Sequence, residues 1–165
     1  MSGPPVLLVD PGNFTPFYDV QLGNCLADRG WRVEWLTSRS PFEDVTLPAR
    51  LWTRVAFCPF LDFRQGFGAR LRRTRRLRRI ARAASYPADL ARLDRHLASR
   101  PPGILHVQWA HAPWLDAMMW RRWRRRRWRV VYTVHDARPL AGTTPRLLHG
   151  VLLPGDRILV TGRSF

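Results

Sequence analysis

The strongest constraint on this chain is an alternation. Six short runs rich in apolar residues, several of them apolar without a break, are separated by longer segments with helical spacing. The strand candidates are PVLLVD (Pro5 to Asp10), WRVEWLTS (Trp31 to Ser38), TRVAFCPF (Thr53 to Phe60), ILHVQWA (Ile104 to Ala110), RVVYTVH (Arg129 to His135) and DRILVTG (Asp156 to Gly162). A strand exposed on one face alternates polar and apolar residues, as in Trp31, Val33 and Trp35 against Arg32 and Glu34. A run such as Val6 to Val9 is apolar on both faces and belongs between two layers of helix. Repeated strand and helix segments predict an α/β fold: a mostly parallel sheet of about six strands with helices on both faces.

The intervening segments support this. FYDVQLGNCLADRG carries Phe17, Val20, Leu22, Cys25 and Leu26 on an apolar side, and Gly30 is placed to end that helix. Between Gly66 and Ser85, the residues Phe67, Leu71, Thr74, Leu77, Ile80 and Ala84 form one stripe at helical spacing. A separate helix is expected from Pro87, with Leu90, Leu93 and Leu97 as anchors. PWLDAMMWRRWRRRRW is a further helix with a very basic end. The 165 residues suffice for one domain with a real core and are too few for two ordinary ones, so residues 1–165 are read as one unit.

Charge is the second feature. All 28 basic residues are arginine, against twelve acids, for a formal net charge of +16. Arginine without lysine is also what a biased genome composition produces, so net charge alone assigns no function. Its clustering says more: eight arginines lie between Arg70 and Arg82 and seven between Arg121 and Arg129. Such clusters attract anions. The second holds Arg121, Arg122, Trp123, Arg124, Arg125, Arg126, Arg127 and Trp128. Indole beside guanidinium suits an anionic membrane surface, with solvated surface charge as the plain alternative. Nucleic acid is disfavoured, because no stacking module or recognition helix accompanies the charge.

Several chemistries have no support in the sequence. There is no GxGxxG fingerprint, Walker sequence, GxSxG elbow or HExxH pair, and no metal site is expected. Cys25 and Cys58 form no CxxC pair, and buried free thiols are the simplest reading of both. There is no apolar run of roughly 18 residues and no signal-peptide pattern at the N-terminus. Cytoplasm is the default expectation, with peripheral contact at the inner face of a membrane as the role of the basic helix.

In a parallel α/β sheet, ligands bind at the carboxyl ends of the strands. That rule selects loops before any chemistry is assigned. The first holds Gly12, Asn13, Tyr18 and Asp19, where a helix N-terminus can bind an anion through free N–H groups. Asp19 can meet a polar ligand or complement the helix dipole. His111 follows the fourth strand, and His135 with Asp136 follows the fifth. A histidine there can exchange a proton near neutral pH. The plain reading of His135 is a hydrogen bond to a loop carbonyl. His106 lies inside a strand and is read as structural.

The order VLLVDPGNFTPFYDVQLGNCLADRGWRVEWLTS, ILHVQWAHAPW, VVYTVHDARP, DRILVTGRS resembles the N-terminal, acceptor-side domain of a family-4 glycosyltransferase of the GT-B fold. The resemblance covers most of the chain, less clearly from Pro48 to Arg100. It implies one half of a two-domain enzyme that moves a sugar from a nucleotide-sugar to an acceptor with retention, usually without a metal. It implies that His135 is the catalytic strand-end histidine near the transferred sugar, followed by Asp136 of the common HD pair. Gly12, Asn13, Tyr18, Asp19, His111 and Asp136 are then the acceptor or sugar contacts. The nucleotide-sugar donor belongs to the full enzyme and no cofactor is expected on this domain alone. The chain ends after the sixth strand, where the family continues into its donor-binding domain, so a donor-binding half or separate subunit is the expected partner. Little activity is expected without it. Self-association through the uncovered face is a further expectation. The alternative is a non-catalytic scaffold that engages a partner subunit or an acidic membrane surface.

Overall fold

A computed structural model describes residues 3–39, 52–59 and 74–134, and the backbone of 157–160. Strands β1 (Val6–Asp10), β2 (Val33–Ser38), β3 (Trp52–Phe57), β4 (Ile104–Val107), β5 (Arg129–Val134) and β6 (Arg157–Val160) form one sheet in the order β3-β2-β1-β4-β5-β6. Every pairing is parallel. β1 lies at the centre, with Val6 paired to Val33 on one side and to Ile104 on the other. The strand order reverses direction between β1 and β4.

Helices α1 (Pro16–Asp28), α2 (Arg75–Ala98) and α3 (Pro113–Arg125) cover the sheet on both faces. The period of two along β1 explains how. Val6 and Leu8 point to one side, where they pack with Val20 of α1 and with Val33 and Trp35. Leu7 and Val9 point to the other, into a larger core with Leu90, Leu93 and Leu97 of α2 and Trp120 and Trp123 of α3. Both indoles are about 1% exposed. At about 25 cal/mol per Å² of apolar surface, burying each contributes on the order of 4 kcal/mol as an upper bound.

Two helix ends use the same device with different residues. At the end of α1, the Gly30 N–H donates to the Ala27 carbonyl and the Trp31 N–H to that of Leu26, with Gly30 at φ +82°. This is a Schellman end with glycine in the left-handed position, as the sequence predicts. At the end of α3, the Arg127 N–H donates to Arg124 and the Trp128 N–H to Trp123, with Arg127 at φ +66°. An arginine holds the position that favours glycine. Gly103, before β4, has a different reason: a Cβ there would lie 2.2 Å from the Pro5 carbonyl oxygen.

Several expectations change. α2 runs unbroken through Pro87, which was expected to start a separate helix. Tyr86 and Leu90, on either side of the proline, are both buried in one core, while Ala83 and Pro87 are exposed. The carbonyl that loses its N–H partner therefore faces water, and packing carries the helix across. Leu77 and Ile80, expected on the apolar stripe, are exposed at 49% and 57%, and Thr74 and Ala84 are exposed too. Phe67 and Leu71 lie outside the described residues. On α1 the buried residues are Pro16, Asp19, Val20 and Gly23, whereas Phe17 and Cys25 are exposed. Cys25 is thus a free surface thiol, and Cys58 is free and buried as expected.

The basic end of α3 also differs from its expectation. Trp123 and Trp128 are buried at 1% and 3%, so neither indole is presented to a membrane surface. One carboxylate explains the arrangement. Asp94 Oδ1 on α2 accepts from Trp123 Nε1 (3.0 Å), Arg122 Nε (3.0 Å) and Arg126 Nη1 (2.8 Å). Local sequence placed tryptophan among arginines, and the facing helix decided that the indoles are core. Arg121, Arg125 and Arg127 are exposed, while Arg124 is half-buried.

Candidate functional site

The strand order reverses between β1 and β4, so their two following loops diverge and leave a crevice between them. The β1–α1 loop is shaped by Asp10, which is fully buried. Its Oδ1 accepts from the N–H groups of Gly12 (3.0 Å) and Asn13 (2.9 Å), and its Oδ2 from that of Phe14 (2.9 Å). Asn13 sits at φ +51°, in the left-handed region that asparagine tolerates, and its Nδ2 donates to the Ser38 carbonyl at 2.8 Å. The first loop was expected to bind an anion through free N–H groups at the helix N-terminus, with Gly12 and Asn13 as sugar contacts. The N–H groups of these two residues do not serve a ligand. Those groups are instead taken by the chain's own carboxylate, and the Asn13 side chain is spent on β2.

Asp19, in the first turn of α1, is also fully buried. Burial, then the charge of the neighbouring Asp10, pushes its pKa up to about 9. Burial raises Asp10 as well, opposed by its hydrogen bonds. Two carboxylates cannot donate to one another, and neither oxygen of Asp19 has another donor among the described residues. One proton on Asp19, shared with Asp10, satisfies the pair. Burial, followed by the charge of Asp19, raises the Tyr18 phenol, which hydrogen-bonds to Thr133 near the end of β5. His106 Nε2 lies 2.7 Å from the same threonine hydroxyl, a buried structural pairing across β4 and β5.

The second cluster forms on the far wall of the crevice. His111 stacks between Phe14 (centroids 5.6 Å apart, planes at 8°) and Tyr86 (5.3 Å, 28°). Burial, then the guanidinium of Arg82, depresses His111 to about 4, so the ring is neutral at pH 7. Its Nε2 has no hydrogen-bond partner among the described residues. Arg82 Nη1 donates to the Gly12 carbonyl at 3.0 Å, and its guanidinium lies 5.9 Å from the Phe14 ring centre. The Tyr86 hydroxyl donates to Asp116, whose other oxygen accepts from the Ala112 N–H at 2.9 Å. Burial raises the Asp116 carboxyl to about 6. Trp109 Nε1 donates to Thr15 Oγ1 at 3.4 Å, linking the two loops.

Together these residues line a cleft of about 540 Å³ with Phe14, Trp109, Tyr86 and His111 as its rings and Arg78, Arg79 and Arg82 as its charges. A larger space of about 820 Å³ lies between α2 and α3. Its lining comes from helix residues such as Leu90, Leu115 and Met118, with none from the loops at the strand ends, so size alone does not make it the site.

Of the residues singled out from sequence, His111 lines this cleft; Gly12 and Asn13 lie in the β1–α1 loop and Tyr18 and Asp19 in the first turn of α1, none of the four among its lining residues. His135 and Asp136 follow Val134, the last residue of β5, and lie outside the described residues. Asp10, Phe14, Arg82, Tyr86 and Trp109 were missed. A signal existed for two of them: the buried series Leu97, Leu93, Leu90 continues backwards at helical spacing to Tyr86 and Arg82. Among the described residues, no group of three or more His, Cys, Asp or Glu could hold a metal ion. No described helix is long and apolar enough to cross a membrane.

Sheet, helices and crevice define a Rossmann-like α/β domain of the type found in GT-B proteins, with a cleft at the topological switch point. The chain matches no family model, no curated protein and no solved structure.

Proposed function

We propose that the chain is the acceptor-side domain of a retaining glycosyltransferase. A donor-binding half, on the same chain or another, completes a site that moves a sugar from a nucleotide-sugar to an acceptor. The observation that carries this reading is the cleft between the β1 and β4 loops, walled by rings and cations and adjoining the end of β5. His135 follows that end directly and is assigned the face of the transferred sugar, with Asp136 beside it. His111, neutral and with an unpartnered Nε2, can hydrogen-bond an acceptor hydroxyl without adding charge. Asp10 and Asp19 act as positioning residues. Asp10 holds the loop, and the shared proton lets both carboxyls stay buried.

The test uses the complete enzyme, with its donor-binding half present. His135→Ala should lower nucleotide-sugar-dependent transfer by about a hundredfold or more, with an unchanged circular dichroism spectrum. Normal turnover would remove the role assigned to His135. The 165-residue chain alone should show little transfer, because half of the polar environment around the reacting centre is then water.

A second reading is supported by the surface of α3. Arg121, Arg125 and Arg127 are exposed beside Trp114 (71%) and Met118 (53%). These suit a non-catalytic docking face for an acidic membrane or partner. Salt-sensitive binding to anionic vesicles, with no transfer even when donor halves are supplied, would favour this reading over the first.

A further inference from the structure

The face of α2 that packs on the sheet carries Leu97, Leu93, Leu90 and Tyr86. Carried back toward the helix N-terminus, the same face reaches Arg82 and then Arg78 and Arg79, which line the switch-point cleft. Leu77 and Ile80 point outward instead. The hydrophobic pattern of the helix is therefore inverted over the cleft alone: cations inside, aliphatics outside. Such a breach of patterning is expected where function overrides folding.

Electrostatics sharpen the point. The helix N-terminus already carries the positive end of the peptide dipole. α2 opens with Arg75, Arg76, Arg78 and Arg79, with no acidic residue in its first turn and no side-chain cap from Thr74. None of the described residues lining the cleft is acidic. The loop N–H groups that would otherwise receive an anion are occupied by Asp10. Arg82 is committed to the Gly12 carbonyl, so it positions the Phe14 loop. Among the described residues neither Arg78 nor Arg79 has a carboxylate partner, and both line the cleft. Two adjacent guanidiniums suit a phosphate, whose oxygens each accept charge-assisted hydrogen bonds. Beside them Phe14, which is 49% exposed, and Trp109 offer flat apolar faces to a ring.

We infer that this cleft binds a soluble phosphate ester carrying a ring, its phosphate held by Arg78 and Arg79 and its ring laid against Phe14 and Trp109. This rests on the transferase reading only in naming the ester as the acceptor; the anion site stands on the cleft itself. Calorimetric titration of the 165-residue chain with glucose 6-phosphate, inorganic phosphate and glucose tests it. Glucose 6-phosphate should bind saturably and more tightly than inorganic phosphate, and glucose should not bind measurably. The double variant Arg78→Ala/Arg79→Ala should weaken both anions about tenfold or more. Both side chains lie outside the core, and an unchanged urea midpoint would show that the variant is folded. Trp109→Phe serves as a second variant, with weaker binding of the ester and unchanged binding of inorganic phosphate.

Glucose binding as tightly as its phosphate, or anion affinity unchanged in the folded double variant, would overturn the proposal. So would the absence of saturable binding in the millimolar range. Vesicles of phosphatidylcholine containing phosphatidic acid form a separate arm: binding there through Arg78 and Arg79, without binding of the soluble esters, would replace the proposal with a lipid-borne phosphate. None of these titrations needs turnover. The anion site can therefore fail while transfer to a neutral acceptor stands, and transfer can fail while the anion site stands.

Discussion

Asp10 and Asp19 meet at the C-terminal end of β1, both fully shielded from solvent. Asp19 retains its proton in the folded state up to about pH 9, whereas an unfolded chain releases it near pH 4. The folded state thus binds more protons across that range, and linkage makes stability fall as pH rises. Asp116, raised to about 6, acts in the same direction from about pH 4 to 6. His111, depressed to about 4, acts in the opposite direction up to its unfolded value near 6.5, since the unfolded state binds the extra proton. The last two largely cancel in acid. Above pH 7 the Asp19 contribution stands, at no more than about 1.4 kcal/mol per pH unit. Urea unfolding from pH 7 to 9 should show stability declining in the parent and a flatter profile in Asp19→Asn. Equal slopes would mean that the shared proton is wrongly placed.

Helix ends and faces form the next scale. Both α1 and α3 close with the same pair of backbone hydrogen bonds, yet only α1 has a glycine in the left-handed position. A side chain there crowds its own carbonyl, which costs about 1 kcal/mol. Arg127→Gly should therefore stabilise the domain by up to about 1 kcal/mol, read as a higher urea midpoint. A lower midpoint would mean that the arginine side chain contributes more than its backbone strain costs. The sequence marked the end of α1 through Gly30 and gave no such mark for α3. Likewise Pro87 read as a helix start, because local rules cannot include the core that holds Tyr86 and Leu90 on one continuous helix.

For the whole molecule, the formal charge of +16 is the dominant long-range term. That figure already subtracts the twelve acids, among which Asp94 pairs with Arg122 and Arg126 and Glu34 with Arg100. The remainder repels itself. Sodium chloride screens charges beyond about 10 Å at 0.1 M, so added salt should raise the urea midpoint at fixed pH. A falling midpoint would show that the specific pairs outweigh the general repulsion.

The sequence by itself determined the layers. Runs apolar on both faces, such as Val6 to Val9, can only lie between helices, and the alternation of strand with helix makes the sheet parallel. It also named the loops at the strand ends, because that rule follows from chain direction alone; His111 lies in one of them, and Tyr18 and Asp19 lie in the first turn of the helix that follows another. Tertiary structure decided the partners. Whether an arginine faces water or a cleft, and whether a tryptophan between arginines is surface or core, depends on the element opposite: Asp94 opposite Trp123, and Phe14 opposite Arg82. Periodicity records which face a residue occupies. It does not record what that face meets, because the meeting residues are distant in the chain and close only in the fold.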